Sequence, residues 1–443
     1  MNVAVIGSGG REHALVYKLS RSKLLSNIFV IPGNPGTNSI ATNIAIELDD
    51  FENILKFCNE NKIELVIIGP EMPLVNGLAD YLRENNVKVF GPNKNAAIIE
   101  GDKSFSKSLM RKYEIPTAEY EIFNSKQIDE ALRYLKTSTY PIVIKASGLA
   151  AGKGVSICKD YVQAKNAVNS CFMGKKFGKS GNKIVIEEFL QGSEVSIFAI
   201  TDGTDYVLLP ASQDHKQIFN GDKGENTGGM GAYSPVSVDK LFLNIIGNRK
   251  ADKNNNFSNT SIMTEIEEKI VKRTLSAMKS EGTEFSGCLY CGLMITKSGP
   301  KVIEYNCRFG DPEIQAVLRT IDGDFLELLN SAAKGKVNKD SVHYNGGASV
   351  CVVAASDGYP NKYRKGFKIS GLKNIENSDA IVFHAGTKES DGKILTDGGR
   401  VLSVSSFYNK NEISKAKSMS YEALSKIKFE GMYFRTDISD KAL

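Results

Sequence analysis

Over the first hundred residues the spacing of apolar positions switches repeatedly between two periods. Short apolar runs at NVAVI (2–6), IFVI (28–31), ELVIIG (64–69) and VKVFG (87–91) read as strands. Between them apolar residues recur at helical spacing, as in Ala14, Leu15 and Leu19, or Phe51, Ile54, Leu55 and Cys58. This alternation predicts a doubly wound parallel sheet over residues 1–101. Each strand ends in a glycine-bearing turn: GSGGRE, PGNPGT, GPEMP and GPN. In such sheets ligands bind at the carboxyl ends of the strands.

A second unit is expected over residues 102–335. DKSFSKSLMRKY (102–113) has the pattern of a capped helix, and PIVIKA (141–146) and IVIEEFL (184–190) read as strands. Between the strands lie a glycine loop, SGLAAGKG (147–154), and GKKFGKSGNK (174–183), which resembles a mobile hairpin tip. EVSIFAI (194–200) and YVLLPA (206–211) continue a sheet. Residues 212–235 read as one long loop, and a loop of that length in a compact domain is usually functional. The polar stretch 244–260 reads as a surface insertion, and 261–279 as a helix. A third unit, 336–443, shows strands at ASVCVVAA (348–355), AIVFHAGT (380–387) and RVLSVSSF (400–407), then a helix near 412–427.

Composition narrows the class. Of 443 residues, 41% are hydrophobic and 24% charged, which supports several cores and argues against disorder. The net charge of +5 is spread along the chain without a Lys/Arg block, so no nucleic-acid partner is expected. The start has no secretory pattern, and no apolar run approaches the roughly 18 residues of a membrane span. Seven cysteines, an odd number without framework spacing, point to a reducing cytoplasm. Cys288 and Cys291 have CxxC spacing, but they lie in the buried-strand pattern GCLYCGLMI with no second pair or His cluster.

The candidate chemistry lies at the turns and strand ends. GSGGRE joins a strand to a helix, either as an anion cradle or as a tight structural turn. As a dinucleotide fingerprint it breaks at Glu12, and no acid follows the second strand, which disfavours an NAD-dependent oxidoreductase. Arg11 offers a charged fork to a phosphate or carboxylate. GLAAGKG lacks P-loop spacing but can still cradle phosphates with backbone N–H groups and Lys153. Lys145, ending an apolar strand, either snorkels or pairs with an anion. Alternation puts Glu187 and Glu188 on opposite faces, so one points to a pocket or both edge a solvated strand. Asp214, His215 and Lys216 suggest acid/base work, yet no GxSxG nucleophile and no zinc spacing accompany them.

KVIEYNCRFGD (301–311) places Val302, Glu304, Asn306 and Arg308 on one strand face and Ile303, Tyr305 and Cys307 on the other. Glu304 and Asn306 are two hard oxygen ligands of the kind Mg²⁺ takes alongside substrate phosphates. The alternative is a half-exposed strand with its polar side turned to water.

In order along the chain, GSGGREHAL, GPEMPLV, FGPN, IPTAEY, PIVIKASGLAAGKGV, EEFLQGSEVS, QDHK, NTGGMGAYSP, LYCGLMI, GPKVIEYNCRFGDPEIQ, FHAGT and GGRVLSV resemble the phosphoribosylamine–glycine ligase (glycinamide ribonucleotide synthetase) family of the ATP-grasp superfamily. The resemblance implies an α/β and α+β multidomain fold: an N-terminal doubly wound sheet, an ATP-grasp body with a small mobile lobe over about 119–193, and a C-terminal mixed β domain. It implies ligation of glycine to 5-phosphoribosylamine with ATP through glycyl phosphate, in de novo purine biosynthesis, with Mg²⁺ or Mn²⁺, by a monomer. Another ATP-grasp carboxylate–amine ligase is the alternative.

Carried over by the same resemblance, Lys107, Lys145 and Lys153 contact ATP phosphates, Glu187 and Leu190 lie on the adenine side, and Glu194 accepts from the ribose. Glu304 and Asn306 hold the metal. Gly9, Gly10, Arg11, Glu12, the loop Gly33, Asn34, Pro35, Gly36 and Thr37, and Glu71 line the phosphoribosylamine side. Asp214, Lys216 and Arg308 are the catalytic set. The chain departs from the family pattern at Ser147, Gln217 and Glu225 and in the insertion 244–260, which bears on local contacts and loop behaviour.

Overall fold

Five parallel strands form the N-terminal sheet, in the order Thr42–Asn43, Asn27–Pro32, Asn2–Gly7, Leu65–Ile68 and Val89–Phe90. The protein is represented by a computed structural model that describes residues 1–150, 154–173, 180–246, 261–375 and 378–443. Val3, Ala4, Val5 and Ile6 are fully buried. A parallel sheet covered on both faces requires such uninterrupted apolar runs. The chain winds outward in both directions from Asn2–Gly7. The crevice at the strand ends therefore lies between Gly7 and Gly69, where the helix Gly10–Leu19 begins.

The central body is an antiparallel sheet of four strands, Tyr206–Leu208, Ser193–Thr201, Gly287–Thr296 and Gly299–Asn306. Two apolar clusters run from the N-terminal sheet into this body, one joining Ile6 to Ile197 and Val302, the other joining Val5 to Phe198 and Phe325. The helix expected over 261–279 runs from Ile262 to Ser280, with a wider π-helical stretch at Glu267–Lys272. A smaller antiparallel sheet, Tyr120–Asn124, Lys183–Glu188, Ile142–Ala146 and Val155–Cys158, carries the helices Ile128–Thr137 and Tyr161–Phe172 and has its own core.

Residues 212–235 are not one loop. Gln213–Asp214 is an edge strand of the C-terminal sheet with Gly231–Ser234 next to it, and Gln217–Phe219 pairs with Lys223–Asn226 as a hairpin. The polar sequences QD and KGEN carry no strand signal, because their pairing is dictated by partners elsewhere. From this edge the C-terminal sheet continues through Ala348–Ser356, Arg400–Tyr408 and Ile381–His384, with Met432–Tyr433 also paired to Ala348–Ser356. The helix Ile413–Ser425 covers it.

Two further expectations change. Residues 244–246 end the helix Val238–Ile246 rather than opening an insertion, and 247–260 lie outside the described residues. Of the expected hairpin tip, 174–179 also lie outside them. In Gly299–Asn306 the alternation breaks. Gly292 pairs with Glu304 but Leu293 pairs with Val302, so Ile303 is an extra, bulged residue. Val302 therefore joins Tyr305 and Cys307 in the core, while Ile303 turns with Glu304 to the opposite side. A bulge re-aims side chains in this way. Among the described residues, no helix is long and apolar enough to cross a membrane.

Candidate active site

A cavity of about 590 Å³ opens between the small sheet and the four-stranded sheet and extends to the crevice of the N-terminal sheet. One end is apolar, walled by Val143, Val155 and Ile157 from the small sheet and by Met294 and Ile303 from the body. Phe189 and Leu190, just past the end of the strand Lys183–Glu188, complete this wall. A flat aromatic ligand fits such a slot.

Next to it lies a buried charge cluster. Lys107 Nζ and Lys145 Nζ reach the same oxygen of Glu187, at 3.1 and 3.0 Å. Lys145 also donates to the carbonyl of Ile303 at 3.0 Å, and Lys107 to Thr117 Oγ1 at 2.6 Å. Lys107 is positioned by the helix Lys103–Lys112, whose first N–H groups are capped by Asp102. Burial lowers the Lys107 ammonium to about 8, against the pull of Glu187. The other Glu187 oxygen is buried without a hydrogen-bond partner, in a residue that lines the cavity. Glu188, on the opposite face, pairs outside with Lys301 at 2.9 Å. Lys145 thus pairs with an anion, and Glu187 is the inward residue of the two.

The middle of the cleft holds Lys216, 3.0 Å from Glu194 and 3.9 Å from Glu304. Burial alone would lower the Lys216 ammonium, but Glu194 and Glu304 hold it well above the usual lysine range. Burial would likewise raise the Glu304 carboxyl, yet Lys216, Lys145 and Lys103 hold it low. Glu304 is therefore ionised at neutral pH, and with the Asn306 amide it lines the cavity. One carboxylate and one amide, with no cluster of three or more acidic, imidazole or thiol ligands among the described residues, fit a hard cation that draws its remaining oxygens from substrate phosphates.

Arg308 leads to the far end. Its guanidinium contacts Glu71 at 3.2 Å and Glu100 at 3.0 Å. Burial would raise the Glu71 carboxyl, but Arg308 and Arg11 hold it below the usual range. Arg11 lines the cavity, paired with Glu12 at 2.5 Å and donating to the Phe309 carbonyl at 3.2 Å. Glu12 itself is turned away. It accepts from Gly9 N at 2.7 Å and packs where side chains on Gly7 or Gly69 would stand. The crevice a dinucleotide pyrophosphate would enter is thus filled by a carboxylate. Gly9 and Gly10 lie against Asp311, while Gly33, Asn34, Pro35, Gly36 and Thr37 do not line the cavity. Asn34 instead ties the turn to the third domain, donating to the carbonyls of Ser8 and His384 at 2.8 and 2.9 Å. Lys153 lies outside the described residues.

Asp214 is buried beside Glu313, and burial and that neighbour push its carboxyl well above the usual range, against Lys216. The departures also have partners. Ser147 donates to Asp102 at 2.6 Å and Glu225 accepts from Asn361 at 2.5 Å, while at Gln217 it is the backbone carbonyl that accepts from Arg435, at 3.0 Å. Glu100, Lys103, Asp311, Glu313 and Arg400 line the cavity without having been singled out in the sequence. Asp311 and Glu313 share the turn RFGDPE, Glu100 and Lys103 flank the junction of two helices, and Arg400 comes from a distant strand.

Two antiparallel sheets closing on a cation-lined, nucleotide-sized cleft are the architecture of the ATP-grasp class. Models of the phosphoribosylglycinamide synthetase N domain, ATP-grasp (A) domain and C domain match residues 1–100, 101–314 and 349–441. The chain is 44% identical to a phosphoribosylamine–glycine ligase of Caldanaerobacter subterraneus subsp. tengcongensis over 440 residues, covering 99% of each chain. It is 42% identical to one of Salmonella typhimurium over 449 residues, covering 100% of this chain and 99% of that one. The crystal structure of a phosphoribosylamine–glycine ligase from Thermotoga maritima superposes with a TM-score of 0.81 at 33% identity, covering 99% and 100% of the two chains. A biotin carboxylase domain of Hydrogenobacter thermophilus 2-oxoglutarate carboxylase, at 17% identity and a TM-score of 0.72 over 98% and 91%, shares the fold. The chain belongs to the phosphoribosylglycinamide synthetase family.

Proposed function

We infer that the chain ligates glycine to 5-phosphoribosylamine, cleaving ATP to ADP and phosphate and giving glycinamide ribonucleotide, a step of de novo purine biosynthesis. The observation that carries this reading is the continuity of one cleft. It runs from the apolar slot, past the Lys107–Glu187–Lys145 cluster and Glu304, to Arg11 beside the crevice of the N-terminal sheet.

The adenine would lie in the apolar slot, with the unpartnered Glu187 oxygen accepting from its N–H and Leu190 beside it. Glu194 would accept from the ribose. Lys107 and Lys145, now sharing one carboxylate oxygen, would turn to the phosphates, with Lys153 as a further candidate. Glu304 and Asn306 would hold Mg²⁺ or Mn²⁺, which when bound offsets charge on the transferring phosphoryl group. A carboxylate acylates poorly, so glycine is activated as glycyl phosphate. Lys216 and Arg308 would stabilise its negative oxygens from fixed positions. Asp214, with its raised carboxyl pKa, would face the reacting end. Arg11 and Glu71, behind the Gly9–Gly10 turn, would orient phosphoribosylamine so that its amine attacks the acyl carbon and phosphate leaves. Glu12 and the 33–37 loop support this end from behind.

Seven buried cysteines, an odd number without framework spacing, support a reducing, cytoplasmic location. Incubating the protein with ATP, glycine and 5-phosphoribosylamine tests the reading: ADP release should require both other substrates. ADP formation with a different acid or amine, and none with these, would transfer the reading to another carboxylate–amine ligase.

A further inference from the structure

Glu100 ends the helix Lys94–Gly101 and is 6% exposed. Its carboxylate meets three consecutive residues of the strand end that carries the metal candidates. Cys307 N donates to Oε2 at 2.8 Å and Cys307 Sγ to the same oxygen at 3.1 Å. Arg308 Nη2 pairs with Oε1 at 3.0 Å. In the orientation that satisfies its surroundings, the Asn306 amide nitrogen donates to Oε1 at 2.9 Å and to the Tyr305 carbonyl at 3.3 Å.

Every neighbour of Glu100 in this set is a donor; burial pushes its carboxyl up while Arg308 and the Cys307 donors pull it down, and in the carboxylate form it only accepts. That matters most for Asn306. The two ends of a primary amide are nearly the same shape, and a half-turn exchanges them. An unclamped Asn306 would offer N–H groups to a cation as readily as its oxygen. With the nitrogen held by Glu100 and Tyr305, the oxygen is the atom left for the cleft. We propose that Glu100 is a positioning residue that keeps the Asn306 oxygen directed at the metal–nucleotide position and fixes Arg308 beside it. The inference rests on the metal role proposed above for Glu304 and Asn306. Ligands of this kind are commonly oriented by a second group, and loss of that group costs roughly 10- to 100-fold in metal affinity. In Glu100→Gln, the new NH₂ would meet a donor on either side, so the carbonyl could satisfy only part of the set.

The test uses Mn²⁺ binding to the protein–ADP complex, read from the electron paramagnetic resonance signal of free Mn²⁺. Wild type, Glu100→Gln, Asn306→Ala, the double variant and Glu304→Ala are compared. We expect Glu100→Gln to weaken Mn²⁺ about tenfold. ADP affinity without divalent metal should be unchanged, and the double variant should bind no worse than Asn306→Ala alone. Glu100→Asp, which keeps the charge one methylene short, carries the same expectation should the Gln variant not fold. Wild-type Mn²⁺ affinity in the Glu100 variants with loss in Asn306→Ala would overturn the inference and leave the metal reading standing. So would fully additive losses in the double variant. Wild-type affinity in both Asn306→Ala and Glu304→Ala would overturn the two together.

Discussion

Arg400, on a strand of the C-terminal sheet, donates to the Asp311 carboxylate at 2.9 Å and to the Asp311 carbonyl at 2.7 Å. The same guanidinium donates to the carbonyl of Gly228 at 2.5 Å, and a side chain on Gly228 would run into it. Gln315 donates to the second carboxylate oxygen at 2.6 Å. Asp311 is thereby pinned against the Gly9–Gly10 turn by a residue of the third domain. Arg400→Met should lower kcat/KM by roughly 10- to 100-fold, since a charged hydrogen bond contributes about 1.5–3 kcal/mol. Arg400→Lys should recover little, because an ammonium lacks the planar fork. Steady-state kinetics with each substrate varied in turn checks both; near-normal activity in Arg400→Met would remove the third domain from the site.

Glu304→Ala should slow turnover by roughly a hundredfold or more, since losing several kcal/mol of metal assistance costs tenfold per 1.4 kcal/mol. Asn306→Ala should lose less, as water partly replaces a neutral ligand. Raising Mg²⁺ should shrink both defects. Tyr305, whose hydroxyl meets Thr274 Oγ1 at 2.6 Å in the core, supplies the control. Tyr305→Phe should lower the melting temperature slightly and leave the Mg²⁺ dependence alone. Wild-type turnover of Glu304→Ala at limiting Mg²⁺ would refute the assignment.

Glu187→Ala leaves two buried ammonium groups without their shared anion. Breaking a buried ion pair costs about 3–5 kcal/mol, so the variant should unfold at clearly lower denaturant concentration. Added ATP should return part of this loss, because its phosphates replace the missing charge. Chemical denaturation with and without ATP measures both effects; unchanged stability would mean that the lysines already find other partners.

Stability should fall as pH drops below the ordinary histidine range. Burial, with His384 close by, lowers His13 to about 3, and burial lowers His215 and His384 to about 4. An unfolded histidine takes its proton near 6.5. Between that value and about 3–4 the unfolded chain binds more protons, so folding loses stability as pH falls, by at most about 1.4 kcal/mol per pH unit for each histidine. Above pH 7 this contribution is complete and flat. His13 Nδ1 accepts from His384 N at 2.9 Å, a role an amide oxygen can fill. In melting curves from pH 8 to 4, His13→Gln should show a shallower slope; an equal slope would acquit His13.

The N-terminal strands were legible because helices cover both faces of that sheet and force continuous apolar runs. Lys145 and Glu187 were legible for a related reason: a charge placed in an apolar strand needs a partner, and here they partner each other. The face of Ile303 was not legible, because its bulge is set by register against Gly292 and Leu293 on another strand. Glu12 matched a substrate position by motif, yet its carboxylate staples the turn that Gly9 opens. Glu100 carries no local signal, and Asp311 and Arg400 lie in the quoted motifs RFGDPE and GGRVLSV without a role readable from them. Each acquires its place only when a helix end, a turn and a distant strand converge.

The strand Gly231–Ser234 ties early and late parts of the chain together, which bears on how the enzyme matures. Gly231 pairs with Val352 and Ser234 with Ser349, and the strand's other neighbour is only Gln213–Asp214. During synthesis, Gly231–Ser234 can pair with Gln213–Asp214 but waits for its other partner until those later residues leave the ribosome. Domains tend to form in order of synthesis, so the N-terminal sheet is complete while these two short strands still lack Ala348–Ser356. A nascent chain stalled before residue 348 should be cut by protease between 213 and 234 and spared within 2–90. Competence to handle a reactive acyl phosphate is thus withheld until nearly the whole chain has been made.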